Sequence, residues 1–123
     1  MKLSAREFER LVEDGLTLIP EEIRAVMNNL QLVIEDEPSQ EVLKELDVSP
    51  DDTLFGLYQG VPLTERSTAY SALPDRIIIY RRPLLEEFDD PRDIRREVAR
   101  TVIHEIAHHF GISDERLAEL GWD

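Results

Sequence analysis

The stretch that decides the fold is TVIHEIAHHFGISD, residues 101–114, which contains all 3 histidines of the chain. Two of them, His104 and His108, stand four positions apart in the pattern H-E-x-x-H, and Glu105 directly follows the first. On an α-helix, residues four apart lie one above the other, with Cβ atoms about 5–6 Å apart. The pattern therefore predicts a helix that presents both imidazoles on one face, with Glu105 about a quarter turn away.

Two imidazoles at this spacing are a typical pair of ligands for Zn2+, which binds histidine nitrogen at about 2.0–2.1 Å. A catalytic zinc site usually takes about three protein ligands, so a further donor is expected where the chain turns back toward the histidines. Gly111 can adopt the left-handed backbone that ends a helix, and Asp114 then follows closely enough to reach the ion. The pattern thus predicts a Zn2+ site formed by His104, His108 and Asp114. Glu105 would act as general base toward a water that the metal activates.

Two positions in this segment allow a second interpretation. Asp114 can instead cap the N-terminus of a last helix, which is a common position for aspartate. Glu115 is the neighbouring candidate for the third ligand. His109 points about 100° away from His108 on a helix, toward the apolar side. We expect it to be a buried or outer-shell histidine rather than a ligand.

The composition indicates one globular domain spanning residues 1–123, with 41% hydrophobic and 33% charged residues. No apolar run approaches the roughly 20 residues that cross a bilayer, and the charged start MKLSARE lacks a signal-peptide core. We therefore expect a cytoplasmic protein with no membrane partner. The net charge of −13 repels phosphate backbones and argues against nucleic acid as a partner. A substrate with basic or neutral groups would be tolerated better, and the sequence does not fix the oligomeric state.

Local signals predict helices on both sides of this segment. Asp90 and Pro91 are the N-cap and first residue of a long helix whose apolar residues cover more than half of its circumference. That helix is expected in the middle of the fold, with its polar arc lining a cleft. Ser4 and Glu7 form a capping box for a first helix that Gly15 is expected to end. The predicted helices span 5–14, 20–28, 39–46, 91–110 and 114–120, with a helical turn at 84–88.

Three stretches are typical of strands. The run Ile77–Tyr80 is β-branched and continuous, and is expected to be buried on both faces. Shorter strands are predicted at 30–34 and 54–58. Between the last two strands, residues 61–74 predict a long loop, which in so small a domain is more often functional than idle. Three tyrosines can donate to an oxyanion, although a tyrosine beside a strand usually packs. They are Tyr58, Tyr70 and Tyr80.

The extended pattern H-E-x-x-H-x-x-G-x-x-D resembles the motif of the zincin metallopeptidases. More narrowly, the chain resembles the small bacterial minimal-zincin family of possible zinc metallopeptidases. Two further segments also resemble the sequences of that family: LFGLYQGVPLTER at 54–66 and DERLAELGW at 114–122. The resemblance implies an α+β fold, in which a small mixed sheet of about three strands packs against helices that include the motif helix.

The same resemblance implies a function. His104, His108 and Asp114 would bind zinc, Glu105 would be the catalytic base, and the reaction would be hydrolysis of a peptide bond in a peptide or protein substrate. Zincins generally hold an extended peptide against a sheet edge, for which the strand at 54–58 would be the candidate, and the loop at 61–74 would then be a lid. A different class of function is a non-catalytic interaction or regulatory domain that keeps the zincin scaffold. In a third interpretation the metal is structural, but structural zinc sites are usually closed and bound by about four protein ligands.

Overall fold

The computed structural model describes residues 1–47, 53–60 and 75–123. The predicted loop at 61–74, with Tyr70, lies outside the described residues. The helices are α1 (Ala5–Leu16), α2 (Glu21–Arg24), α3 (Gln40–Glu45), α4 (Arg81–Glu87), α5 (Pro91–Phe110) and α6 (Asp114–Glu119). The strands are β1 (Leu30–Glu35), β2 (Gly56–Gln59) and β3 (Asp75–Tyr80). Within the described ranges, no helix combines the length and apolar character needed to span a membrane.

The strands form one small mixed sheet in the order β1-β3-β2. β1 runs parallel to β3, with Leu32 opposite Ile77, and β2 runs antiparallel to β3, with Leu57 opposite Ile78. The central strand is covered on both faces, and Ile77, Ile78, Ile79 and Tyr80 are all buried. The predicted α+β fold with a small mixed sheet is confirmed.

Helix α5 runs through the middle of the hydrophobic core. The Asp90 side chain accepts a hydrogen bond from the backbone N–H of Arg92, so the predicted cap at its N-terminus is confirmed. Its buried residues are Ile94, Val98, Ala99, Val102, Ile103, Ile106 and Ala107. The apolar surroundings stop there, because Phe110 is 46% exposed. The last turn of α5 therefore emerges from the core.

Helix α1 packs against α5 through a glycine that was predicted to end the helix. That prediction was wrong, because α1 continues through Gly15 to Leu16, while the capping box of Ser4 and Glu7 is confirmed. A Cβ atom on Gly15 would lie 2.7 Å from the backbone oxygen of Arg95 and 3.2 Å from Cβ of Val98. The missing side chain is what lets the two helices approach each other.

Other helix and strand bounds differ from the predicted ones, mostly beside turns of the chain. α2 ends at Arg24 rather than near residue 28, and Asn29 takes a left-handed backbone (φ 58°) immediately before β1. β2 spans Gly56–Gln59 rather than 54–58. None of the residues of α3 is buried. These short elements depend on their neighbours more than on their own sequence.

We expect Gly15→Ala to lower the free energy of unfolding by about 1–3 kcal/mol, the usual cost of overpacking a core. Alanine normally stabilises a helix interior relative to glycine by about 1 kcal/mol, so the sign of the change tests the close contact. Urea unfolding measures it, with Glu13→Ala on the exposed face of α1 as the control. A Gly15→Ala protein as stable as the wild type would contradict the proposed packing.

Candidate active site

The motif residues lie on the last turns of α5, which Gly111 ends in the predicted left-handed conformation (φ 74°, ψ 25°). The backbone N–H groups of Gly111 and Ile112 both donate to the carbonyl of Ala107. The chain then turns back into α6. Ser113, not Asp114, caps that helix, because its side chain accepts a hydrogen bond from the N–H of Arg116. The capping interpretation of Asp114 is therefore wrong, and its carboxylate is left for another role.

One cavity of about 440 Å³ brings the predicted ligands together. It is lined by His104, Ala107, His108, Gly111, Ile112, Ser113, Asp114 and Leu117. Asp114 rather than Glu115 belongs to this lining. The polar arc of α5 is more open than predicted, because His108 is exposed while His104 is half-buried.

The ring of His104 is already engaged. Its Nε2 atom lies 2.8 Å from the backbone oxygen of Trp122. A carbonyl can only accept a hydrogen bond, so Nε2 carries the proton and donates it. Across the described ranges, no three His, Asp or Glu side chains are drawn together closely enough to hold a metal ion. The predicted ligands thus share a cavity without converging on one point.

Glu105 lies beside the cavity, against strand β2. Its side chain is 22% exposed, and its carboxylate accepts a hydrogen bond from the backbone N–H of Tyr58. Burial raises the pKa of this carboxyl, while His109, the Tyr58 N–H and His108 act in the opposite direction. A carboxyl with a raised pKa is better suited to accept and return a proton near neutral pH.

His109 does not lie in the core, so of the two expected positions, buried or outer-shell, the buried one was wrong. Its side chain is 39% exposed, with Nε2 3.8 Å from an oxygen of Glu105. The ring stacks on Tyr58 with centroids 4.2 Å apart. His109 thus contacts Glu105 and Tyr58 instead of core side chains, because the last turn of α5 has left the core.

Tyr58 was one of three tyrosines named as possible oxyanion donors, but its contacts with Glu105 and His109 were not predicted. It contacts His109 through its ring and Glu105 through its backbone, and its hydroxyl donates to the carboxylate of Asp75. Nothing local in the sequence distinguishes it from a packing residue. Only the pairing of β2 beside β3 places it against α5. Tyr80, by contrast, is fully buried, as packing predicts.

Helix α6, which carries Asp114, is tied to α2 by an ion pair. Arg116 donates from Nε to Glu22 at 2.8 Å and from Nη2 to the second oxygen at 2.5 Å. A third bond, from Nη1 to Glu119 at 2.7 Å, stays within α6. The two-pronged geometry fixes direction as well as distance. It orients the start of α6 relative to the rest of the domain.

Comparison with known proteins gives a family and a fold. The profile of a family described as zincin-like metallopeptidase matches residues 27–122. A solved structure of a conserved hypothetical protein from Thermo thermophilus is similar, with a TM-score of 0.57 and 24% identity. The likeness covers 94% of this chain and 98% of that one. No curated protein matches the chain significantly.

We expect Glu105→Gln to stabilise the metal-free protein near pH 7. The folded-state pKa of this carboxyl is raised above 4.5, so the unfolded chain loses the proton first as pH rises. The buried carboxyl therefore lowers the free energy of unfolding of the wild type. This loss of stability is absent well below about pH 4.5 and fully present above the folded-state pKa. Thermal unfolding in a chelator at about pH 3.5 and about pH 7 measures the difference.

The matched control is Glu115→Gln, which changes an exposed carboxylate on α6. It should leave the unfolding midpoint unchanged at both pH values. A Glu105→Gln protein that shows the same midpoint shift at both pH values would argue against burial as the cause.

Proposed function

Since the chain belongs to the family of zincin-like metallopeptidases, we propose that it is a zinc-dependent metallopeptidase that hydrolyses peptide bonds. One observation carries the proposal. His104, His108 and Asp114 line a single cavity, and a half-buried Glu105 lies beside it. Nitrogen and carboxylate donors with a neighbouring carboxyl base are the equipment that metal-assisted hydrolysis requires.

The donor set fits zinc. Members of this family generally bind zinc, and two imidazoles with one carboxylate are a usual set of ligands for a catalytic site. His104, His108 and Asp114 would hold the ion. When bound, zinc supplies a Lewis acid that polarises a carbonyl and lowers the pKa of water.

Glu105 would handle the protons of the reaction. Its carboxylate would accept a proton from the attacking water and later deliver it to the leaving amine. Burial raises its pKa, which brings both transfers closer to neutral pH. The Tyr58 N–H and the nearby His109 ring hold the carboxylate in one place. The base is thus oriented from β2 as well as from α5.

Strand β2 is a suitable place for a peptide. Among the described strands it is an outer one, which pairs with β3 on one side. An extended peptide added to such an edge gains backbone hydrogen bonds whatever its side chains are. Because Tyr58 in β2 contacts Glu105, a peptide alongside this strand would lie near the catalytic base.

The experiment measures zinc content and peptide cleavage together. The purified protein should bind zinc by mass spectrometry and cleave members of a peptide library. We expect His104→Ala and His108→Ala to lose zinc. Glu105→Gln should keep zinc and lose cleavage by at least about 100-fold, the usual contribution of a general base.

The matched control is Glu115→Gln, because this carboxylate lies on α6 outside the cavity lining. It should retain both zinc and cleavage. Cleavage that survives Glu105→Gln would overturn the mechanism. Zinc binding with no cleavage of any peptide would favour a non-catalytic domain on the same scaffold.

A further inference from the structure

We propose that residues 121–122, here named the latch, close the zinc site by holding His104 and are displaced when the metal binds. The inference rests on the proposed function, because it concerns one of the proposed zinc ligands. It begins from the hydrogen bond between Nε2 of His104 and the backbone oxygen of Trp122, at 2.8 Å.

This hydrogen bond is incompatible with a metal at the same nitrogen. Nε2 donates its proton to the carbonyl, so its lone pair is not free, and a metal needs that lone pair. The other nitrogen, Nδ1, is bonded to Cγ and lies closer to the helix backbone. The outer atom, Nε2, is better placed to share an ion with His108 and Asp114 across the cavity. The ring must therefore leave Trp122 for the three donors to converge.

The latch is held in place by contacts on several sides. The N–H of Trp122 donates to the carbonyl of Leu117 at 2.8 Å. Its indole is only 9% exposed and packs in the hydrophobic core. On the outer side, Cζ of Arg96 lies 4.6 Å from the ring centroid, a cation–π contact. These contacts hold the carbonyl opposite His104.

The latch has a thermodynamic consequence. When only a fraction of the molecules has the binding-competent arrangement, the apparent dissociation constant is the intrinsic one divided by that fraction. Weakening the hold on Trp122 raises the competent fraction. Zinc affinity should therefore increase when the latch is loosened, whereas a carbonyl that supports His104 as a ligand would give the opposite result.

Fluorescence of the unmodified protein tests the displacement, because Trp122 is the chain's 1 tryptophan. Titration with zinc should shift its emission to longer wavelength and increase quenching by acrylamide. His108→Ala should abolish both changes by removing a ligand. Zinc binding that leaves the emission unchanged would overturn the latch.

Substitution tests its effect on affinity. Trp122→Ala should bind zinc about five- to tenfold more tightly than the wild type, the scale of one or two lost weak contacts. Trp122→Phe keeps a ring beneath Arg96 and is the matched control, with affinity near that of the wild type. If Trp122→Ala fails to fold, Arg96→Gln loosens the ring from the solvent side and should tighten binding by a smaller factor.

The outcomes separate the two proposals. Zinc binding by the wild type with equal or weaker binding by Trp122→Ala would overturn the latch and leave the zinc site intact. Binding by Trp122→Ala alone would support both. No zinc binding by either protein would overturn the site and the latch together. Nitrogen NMR of the His104 ring measures the tautomer directly. The proton should be on Nε2 in the absence of zinc and on Nδ1 in its presence.

Discussion

The burial of α5 is the constraint on which the rest of the structure depends. A helix that is apolar on most sides must be surrounded, and α1 and β2 both pack against it. Gly15 makes the first contact close, because any side chain there would meet the backbone oxygen of Arg95. The buried turns of α5 then present His104, Glu105 and His108 where the helix emerges from the core. The site is thus built on the end of the most confined element of the domain.

Sequence reasoning succeeded where the signal was local. The caps at Ser4 and Asp90 and the left-handed Gly111 follow from backbone hydrogen bonding and sterics within a few residues. The buried strand Ile77–Tyr80 follows from its unbroken apolar run. The prediction that Gly15 ends α1 was wrong because glycine is common just after the last turn of a helix. Its actual role depends on α5, far away in the sequence.

The same distinction applies to the site. Helical periodicity was enough to place His104 and His108 on one face, and the turn at Gly111 brought Asp114 to the same cavity. The contacts of Tyr58 with Glu105 and of Trp122 with His104 could not be read from any pattern. Each joins residues from different elements, and each was set by how the sheet and α6 pack on α5.

Those two unpredicted contacts have opposite effects on the chemistry. Tyr58 holds the Glu105 carboxylate in a half-buried place, and that burial raises the pKa of the proposed base. Trp122 occupies the nitrogen that the proposed metal needs. Both contacts satisfy polar groups that would otherwise be partly buried without partners, which is costly in a small domain. In the proposed reaction the base can keep its partner, because the backbone N–H donates to one lone pair of the carboxylate and leaves the others free to accept a proton. The histidine cannot, because one nitrogen does not serve a carbonyl and a metal together. If the proposed function holds, stability and metal binding therefore compete at His104 and coexist at Glu105.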